Sequence, residues 1–423
     1  MQESSSQTGT HAQPGMPFIE FVIMIAALMA LNALAMDVML PALPEIGHAL
    51  NIVHENDRQQ VLVAYLVGFG GAQLFYGPIT DAFGRRTVLL GGLALYAAAS
   101  VVSLMSQTLD QLLLARVLQG VGCAATRVIA VSVVRDCYTG RQMGKVMSLV
   151  MMIFMAVPIV APSIGQAILL VAGWRWIFTM LLFAGVVMLL WCAIRLRETL
   201  PQESRQVLNV TAITRAYWMT LRTRESIGYT LALTFVFGGL FSFITMSQQI
   251  FVEIFDLGVW FPIVFSAIAI AMSVSSYMNA RLVEAIGMRR LSHAATLAFM
   301  GFGILLFALA TAGVENFWTF TLISGALMAC FGFIGANYNT MAMEPLGDIA
   351  GTASSVIGFI TTLGGAILGY VMGQLFNGTT QPLGFAFAVY GLFALACVVF
   401  AEKGRMFHAH HPTPGSDQQP KPK

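Results

Sequence analysis

Charge is scarce in this chain: 22 Lys plus Arg and 20 Asp plus Glu among 423 residues, against 57% hydrophobic positions. That excludes a soluble core of this length, which could not hide so much apolar surface, and leaves the lipid bilayer as the solvent that fits. Cysteine is also sparse. Cys123, Cys137, Cys192, Cys330 and Cys397 fall in apolar runs or at their inner ends, so a disulfide framework is excluded. The first 14 residues lack a basic region and a small-residue cleavage site, so the first apolar run reads as a retained helix. There is no Gly-x-x-x-x-Gly-Lys-Ser/Thr loop to bind ATP, no Gly-x-Ser-x-Gly and no His-x-x-x-His inside a span, and these absences argue against an ATP-driven pump and an enzyme. No cofactor or metal site is expected. The His408, His410 and His411 tract reads as a disordered tail.

Long apolar runs are abundant. Crossing a hydrocarbon layer of about 30 Å takes roughly 20 helical residues, and twelve runs qualify: 18–43, 61–79, 87–106, 112–134, 147–170 and 176–194, then 227–251, 259–278, 291–312, 317–341, 350–375 and 383–400. Continuous apolarity, without alternation, makes them helices and not barrel strands. The predicted organisation is all-α: an N-terminal tail 1–17, a six-helix bundle 18–194, a polar linker 195–226, a second six-helix bundle 227–401 and a C-terminal tail 402–423. The linker is too short for a core of its own, and Tyr217 and Trp218 in it read as part of a short helix at the membrane surface.

With both termini placed inside, the inner loops and tail hold 18 of the 22 basic residues. The outer loops hold Arg58 and Arg175, and the membrane holds Arg116 and Arg127. This bias sets cytoplasmic termini, and the net charge of +2 reports topology without calling for nucleic acid.

The loop Gly77-Pro78-Ile79-Thr80-Asp81-Ala82-Phe83-Gly84-Arg85-Arg86 recurs in altered form 203 positions later as Ala280 to Arg289, pairing Asp81 with Glu284, Gly84 with Gly287 and Arg86 with Arg289. Two parallel six-helix repeats make a transporter plan with its site at their interface near mid-membrane. Because Met288 stands where the first copy has Arg85, gating is expected to depend mainly on the first copy.

These residues resemble a known family. Gly77, Asp81, Gly84, Arg85 and Arg86 match the Gly-x-x-x-Asp-x-x-Gly-Arg-Arg signature of the major facilitator superfamily. Arg116-Val117-Leu118-Gln119-Gly120 and Gly173-Trp174-Arg175-Trp176 extend the match. Asp37-Val38-Met39-Leu40-Pro41, Val134-Arg135-Asp136 and Ala161-Pro162-Ser163-Ile164-Gly165 look like the bicyclomycin- and chloramphenicol-resistance branch of drug:proton antiporters. The resemblance implies a multidrug exporter in a bacterial inner membrane, acting as a monomer on small molecules and protons. It also implies that Asp81 caps contacts between the second and eleventh helices, that Arg85 pairs with Asp136 in a gate including Arg135, and that Arg116 takes part in proton coupling. Pro158, Pro162 and Gly165 kink the fifth helix, though Ala161-Pro162 and Gly165-Gln166 stand where the antiporter signature has Gly-Pro and Gly-Gly.

Asp37 is the one carboxylate well inside an apolar run. A charge there costs at least about 2.5 kcal/mol, so it faces a cavity, a partner or a proton. Burial disfavours an ionised carboxyl and a nearby cation favours it, and a group between those influences can load and release protons. Asp37 and Arg116 lie at similar depth, close enough to interact. Arg127 follows Arg116 by three helical turns, giving a face of Arg116, Gly120, Cys123 and Arg127 with surplus positive charge. Either Arg127 faces the cavity, favouring anionic, zwitterionic or neutral polar substrates, or it pairs with Asp136. Gln248, Gln249, Asn337, Tyr338, Asn339 and Glu344 are the second half's cavity candidates, or else bond between helices. Proton-driven export of toxic compounds is the leading expectation; a dedicated carrier of one anionic or zwitterionic metabolite is the alternative.

Overall fold

The computed structural model describes residues 15–205 and 209–407; residues 1–14 of the expected N-terminal tail and the histidine tract lie outside them. Twelve helices among the described residues are long and apolar enough to cross a membrane, as the run lengths demand. In the first half these are α1 (Phe18–Asp37), extended by a short α2 (Leu43–Ala49), α3 (Gln60–Phe83), α4 (Arg85–Met105), α5 (Leu109–Cys137), α6 (Gly140–Val171) and α7 (Arg175–Arg195). A surface helix α8 (Val210–Arg222) follows, then α9 (Arg224–Gln249), α10 (Phe261–Ile286), α11 (Met288–Ala312), α12 (Phe317–Met343), α13 (Ala350–Gln374) and α14 (Gln381–Ala401). The long apolar stretch 317–375 divides at Pro345, where a 3-10 turn, Glu344–Ile349, separates α12 from α13, because proline cannot continue the helical ladder.

The two halves repeat one packing plan. In the first, α3 packs on α5, α4 on α5 and α7, and α1 on α6; in the second, α10 packs on α12, α11 on α12 and α14, and α9 on α13. The halves meet along α3 with α13 and along α6 with α10, which are images of each other under the repeat. An even number of crossings puts both chain ends on one face, called here the terminal face; the opposite one is the far face.

Small residues set how close the helices come. A Cβ on Gly68 would lie 2.0 Å from the Val117 carbonyl, and one on Gly120 2.1 Å from the Tyr65 carbonyl, so α3 and α5 touch backbone to backbone. Between the halves, a Cβ on Gly70 would come within 2.9 Å of the Leu363 backbone. The repeated loop shows its ancestry in its torsions: Gly84 (φ 93°) and Gly287 (φ 91°) both start the next helix from a left-handed conformation that side chains rarely adopt.

Candidate functional site

Asp37 ends α1, but the chain continues through a 3-10 turn into α2, so the carboxylate lies inside the span 18–49 and is 4% exposed. Among the described residues it makes no hydrogen bond or ion pair. Arg116 does not reach it. Completely buried, Arg116 donates to the Val61 carbonyl (3.1 Å), the Ala35 carbonyl (3.1 Å) and Gln119 Oε1 (2.6 Å), and lies over the Tyr65 ring. Gln119 passes the network on to Ser100. Instead of pairing with Asp37, the guanidinium ties α1, α3 and α5 together through backbone oxygens two residues short of the carboxylate.

Arg127 is half-buried about 15 Å from the terminal end of α5. It has no hydrogen-bonding or ionic partner among the described residues. The alternative pairing with Asp136 is absent, because Asp136 accepts from Arg85 (3.1 Å) and Thr199 (3.0 Å). The face that would join Arg127 to Arg116 is packed: Gly120 abuts α3, and Cys123 is buried with its thiol near Thr126.

The second half divides its candidates similarly. Gln249 bonds Gln59 and Asn56 across the halves. Asn337 pairs with Asn279 of α10, and Tyr338 is buried inside its own bundle against Thr296 and Tyr229. Asn339 is exposed and among the described residues reaches only the Met343 sulfur, and Glu344 pairs with Arg289 at 3.2 Å. Gln248, 2% exposed, has no partner among the described residues. Of the candidates read from the sequence, Asp37 on α1, Arg127 on α5 and Gln248 on α9 are thus left without a partner among the described residues. Each is costly in hydrocarbon unless it meets water or a ligand.

On the terminal face Arg85 donates to Asp81 (2.5 Å) and Asp136 (3.1 Å). Among the described residues Asp81 bonds Arg85 and nothing on α13, and at this end of the contact between the second and eleventh spans a Cβ on Gly77 would sit 2.7 Å from Ser355 Oγ. Glu198 caps α4 by accepting from the backbone N–H groups of Arg85 (2.8 Å) and Arg86 (3.1 Å), a favourable place for a carboxylate. Arg86 donates to the Ala193 carbonyl, and the Arg135 guanidinium lies beside Gly351 at the start of α13.

The second copy of the loop departs from expectation. It builds its own charge cluster through Arg289, which binds Glu402 (2.8 Å) and Glu344 (3.2 Å); Glu284 has no ionic partner among the described residues. Met288 cannot pair, but the next position reaches the acids that end α12 and follow α14, the counterparts of Asp136 and Glu198. Tyr229 donates to Glu402 and contacts His293 Nε2 (3.1 Å), and the Phe407 N–H donates to His293 Nδ1 (3.2 Å).

The far face holds a lattice that the sequence reading missed. Asn56 donates to the Gln374 and Phe376 carbonyls, Gln374 donates back to the Asn56 carbonyl, and Gln249 donates to Asn56 Oδ1. Gln59 reaches Gln249 (2.6 Å), and Arg58 pairs with Glu253 (3.0 Å) on a π-helical turn that continues α9. The signal was the polar run Asn56-Asp57-Arg58-Gln59-Gln60 set against Gln248-Gln249 at the end of the seventh run. The fifth span keeps Pro158 and Pro162 inside one continuous helix, and there Ser266 and Ser273 of α10 donate to the Ile159 and Met155 carbonyls. Gly165 abuts the Val38 carbonyl.

A family model described as Major Facilitator Superfamily matches residues 25–369. The chain belongs to the major facilitator superfamily. Its relatives in that superfamily include an uncharacterized transporter, YdgK, of Bacillus subtilis, 33% identical over 91% of this chain and 96% of its own length. The bicyclomycin resistance protein homolog of Haemophilus influenzae is 29% identical over 90% and 94%, and multidrug resistance protein D of Escherichia coli is 27% identical over 90% and 95%. Among solved structures, the xylose transporter XylE of E. coli, in a partially occluded inward-open conformation, superposes with a TM-score of 0.71 at 12% identity over 91% of this chain and 97% of that one. This member of the superfamily is therefore a multi-pass membrane transporter with relatives named for multidrug resistance.

Proposed function

We propose that this transporter exports small toxic compounds from the cytoplasm in exchange for protons, by alternating access of its two halves in a bacterial inner membrane. Both termini are cytoplasmic in this reading, which the distribution of basic residues supports. The carrying observation is Asp37: a nearly buried carboxylate within a span, with no partner among the described residues. A structural acid would have a bond to justify its burial; a coupling acid has to stay free to take and give a proton. The far-face lattice supports a state closed to the outside, so that opening outward must break the Arg58–Glu253 and Asn56–Gln374 links.

In inverted vesicles, a pH gradient should drive substrate uptake by the wild type, and Asp37→Asn should lose that stimulation. Full retention in the variant would sink proton coupling through Asp37. The second reading, a dedicated carrier of one anionic or zwitterionic metabolite, is favoured by the unpaired Arg127. The same vesicles with cationic dyes and anionic drugs separate the two.

A further inference from the structure

Pro78 stands four residues after Leu74 in α3. Proline has no N–H, so the Leu74 carbonyl loses its helical donor, and inside a membrane span that oxygen needs another. The Tyr217 hydroxyl supplies it, donating to the Leu74 oxygen at 2.7 Å. Burial pushes the Tyr217 phenol above its ordinary range, which keeps it protonated and able to donate.

Tyr217 belongs to α8, in the segment between the halves, and α8 is fastened to the second half. It buries Ala216 and Thr220 and packs on α9 and α13. Its grip on the first half through a side-chain hydrogen bond is Tyr217 alone among the described residues. The bond reaches α3 just before Gly77, where α3 presses on Ser355 of α13.

We infer that Tyr217 is a positioning residue for transport, a strap by which the linker helix holds the proline-bearing α3 of one half against α13 of the other in the far-closed state. The inference rests on reading the halves as bodies that rock. The bond is suited to switching, because it is one neutral hydrogen bond that can break without leaving a charge behind. It also explains why a proline sits within the loop signature at a packed interface: the freed carbonyl is the strap's anchor.

The test measures conformation directly, so it does not depend on the proton-coupling assay. With the five cysteines replaced, spin labels at Phe83→Cys and Ile286→Cys, exposed ends of α3 and α10 on the terminal face, report the distance between halves in lipid nanodiscs. Tyr217→Phe should shift the ratio of the two distance populations about two- to tenfold, the effect of one net hydrogen bond. Pro78→Ala returns an N–H to the Leu74 carbonyl, so adding Tyr217→Phe in that background should change the ratio less than about 1.5-fold. An unchanged ratio in Tyr217→Phe alone would overturn the inference, whether or not Pro78→Ala folds. So would an equal shift in both backgrounds, which would mean that Tyr217 acts through packing and not through the freed oxygen.

Discussion

Arg116 donates to the carbonyl of Ala35 at 3.1 Å, and that single bond places a buried cation two residues from Asp37 without pairing the two. The arginine holds the ends of three helices in register, so its first effect is on the shape of the place where Asp37 sits. Arg116→Ala would leave the Ala35 oxygen and Gln119 Oε1 without a donor and remove the second donor of the Val61 oxygen, which lies inside α3. We expect a loss of about 3 kcal/mol in stability, read as a fall in thermal midpoint in detergent, along with lost transport. A variant that melts like wild type would remove the structural role.

Arg127 should govern substrate charge. An unpaired guanidinium that receives an anionic group through a charge-assisted bond contributes about 1.5 to 3 kcal/mol, so Arg127→Ala should weaken transport of anionic compounds about tenfold or more and leave cationic dyes unaffected. Equal losses for both classes in vesicle uptake would contradict this.

The far-face ion pair should respond to reversal. Arg58→Glu should speed labelling of engineered far-face cysteines by impermeant reagents, because it turns the Arg58–Glu253 attraction, 3.0 Å long, into repulsion. Adding Glu253→Arg should restore slow labelling. If the double variant labels as fast as the single one, the pair is not a closure.

Glu402 links acidity to stability. Its burial pushes the carboxyl up, but hydrogen bonds from Tyr229 and Arg289 outweigh this and hold it below its ordinary value of 4.5. A carboxylate depressed in the folded state contributes stability above the unfolded value and loses it as the pH falls through the folded one. The wild type should therefore melt higher than Glu402→Gln at pH 7, with the gap closing below about pH 4.5; a gap that widened on acidification would refute the assignment.

The architecture was legible in the sequence because a bilayer imposes run length, and because duplication leaves two copies of one loop. Asp37 was legible for the same reason, as a charge in apolar surroundings. What could not be read were partners supplied by distant segments. Gly120 and Cys123 share a helical face with Arg116, but periodicity does not say that α3 covers that face. Nor does spacing show that Arg289 takes over where Met288 cannot pair, since the acids it meets lie 55 and 113 residues away. The far-face lattice was hidden because amides at helix ends and in a short 3-10 turn carry no periodic signal, and only folding brings Asn56 within reach of Gln374, 318 residues on.

The glycine contacts that bring α3 within touching distance of both α5 and α13 also set the mechanical character of the protein. Helices in backbone contact cannot bend apart independently, so in the alternating access proposed above each half would turn as a stiff lever, with its fulcrum near Gly70 and Leu363 in the middle of the membrane. A tilt of ~10° about an axis there moves a rim about 20 Å away by roughly 3.5 Å. Displacements too small to see beside Asp37 would thus be magnified into an open mouth at one surface and a shut one at the other.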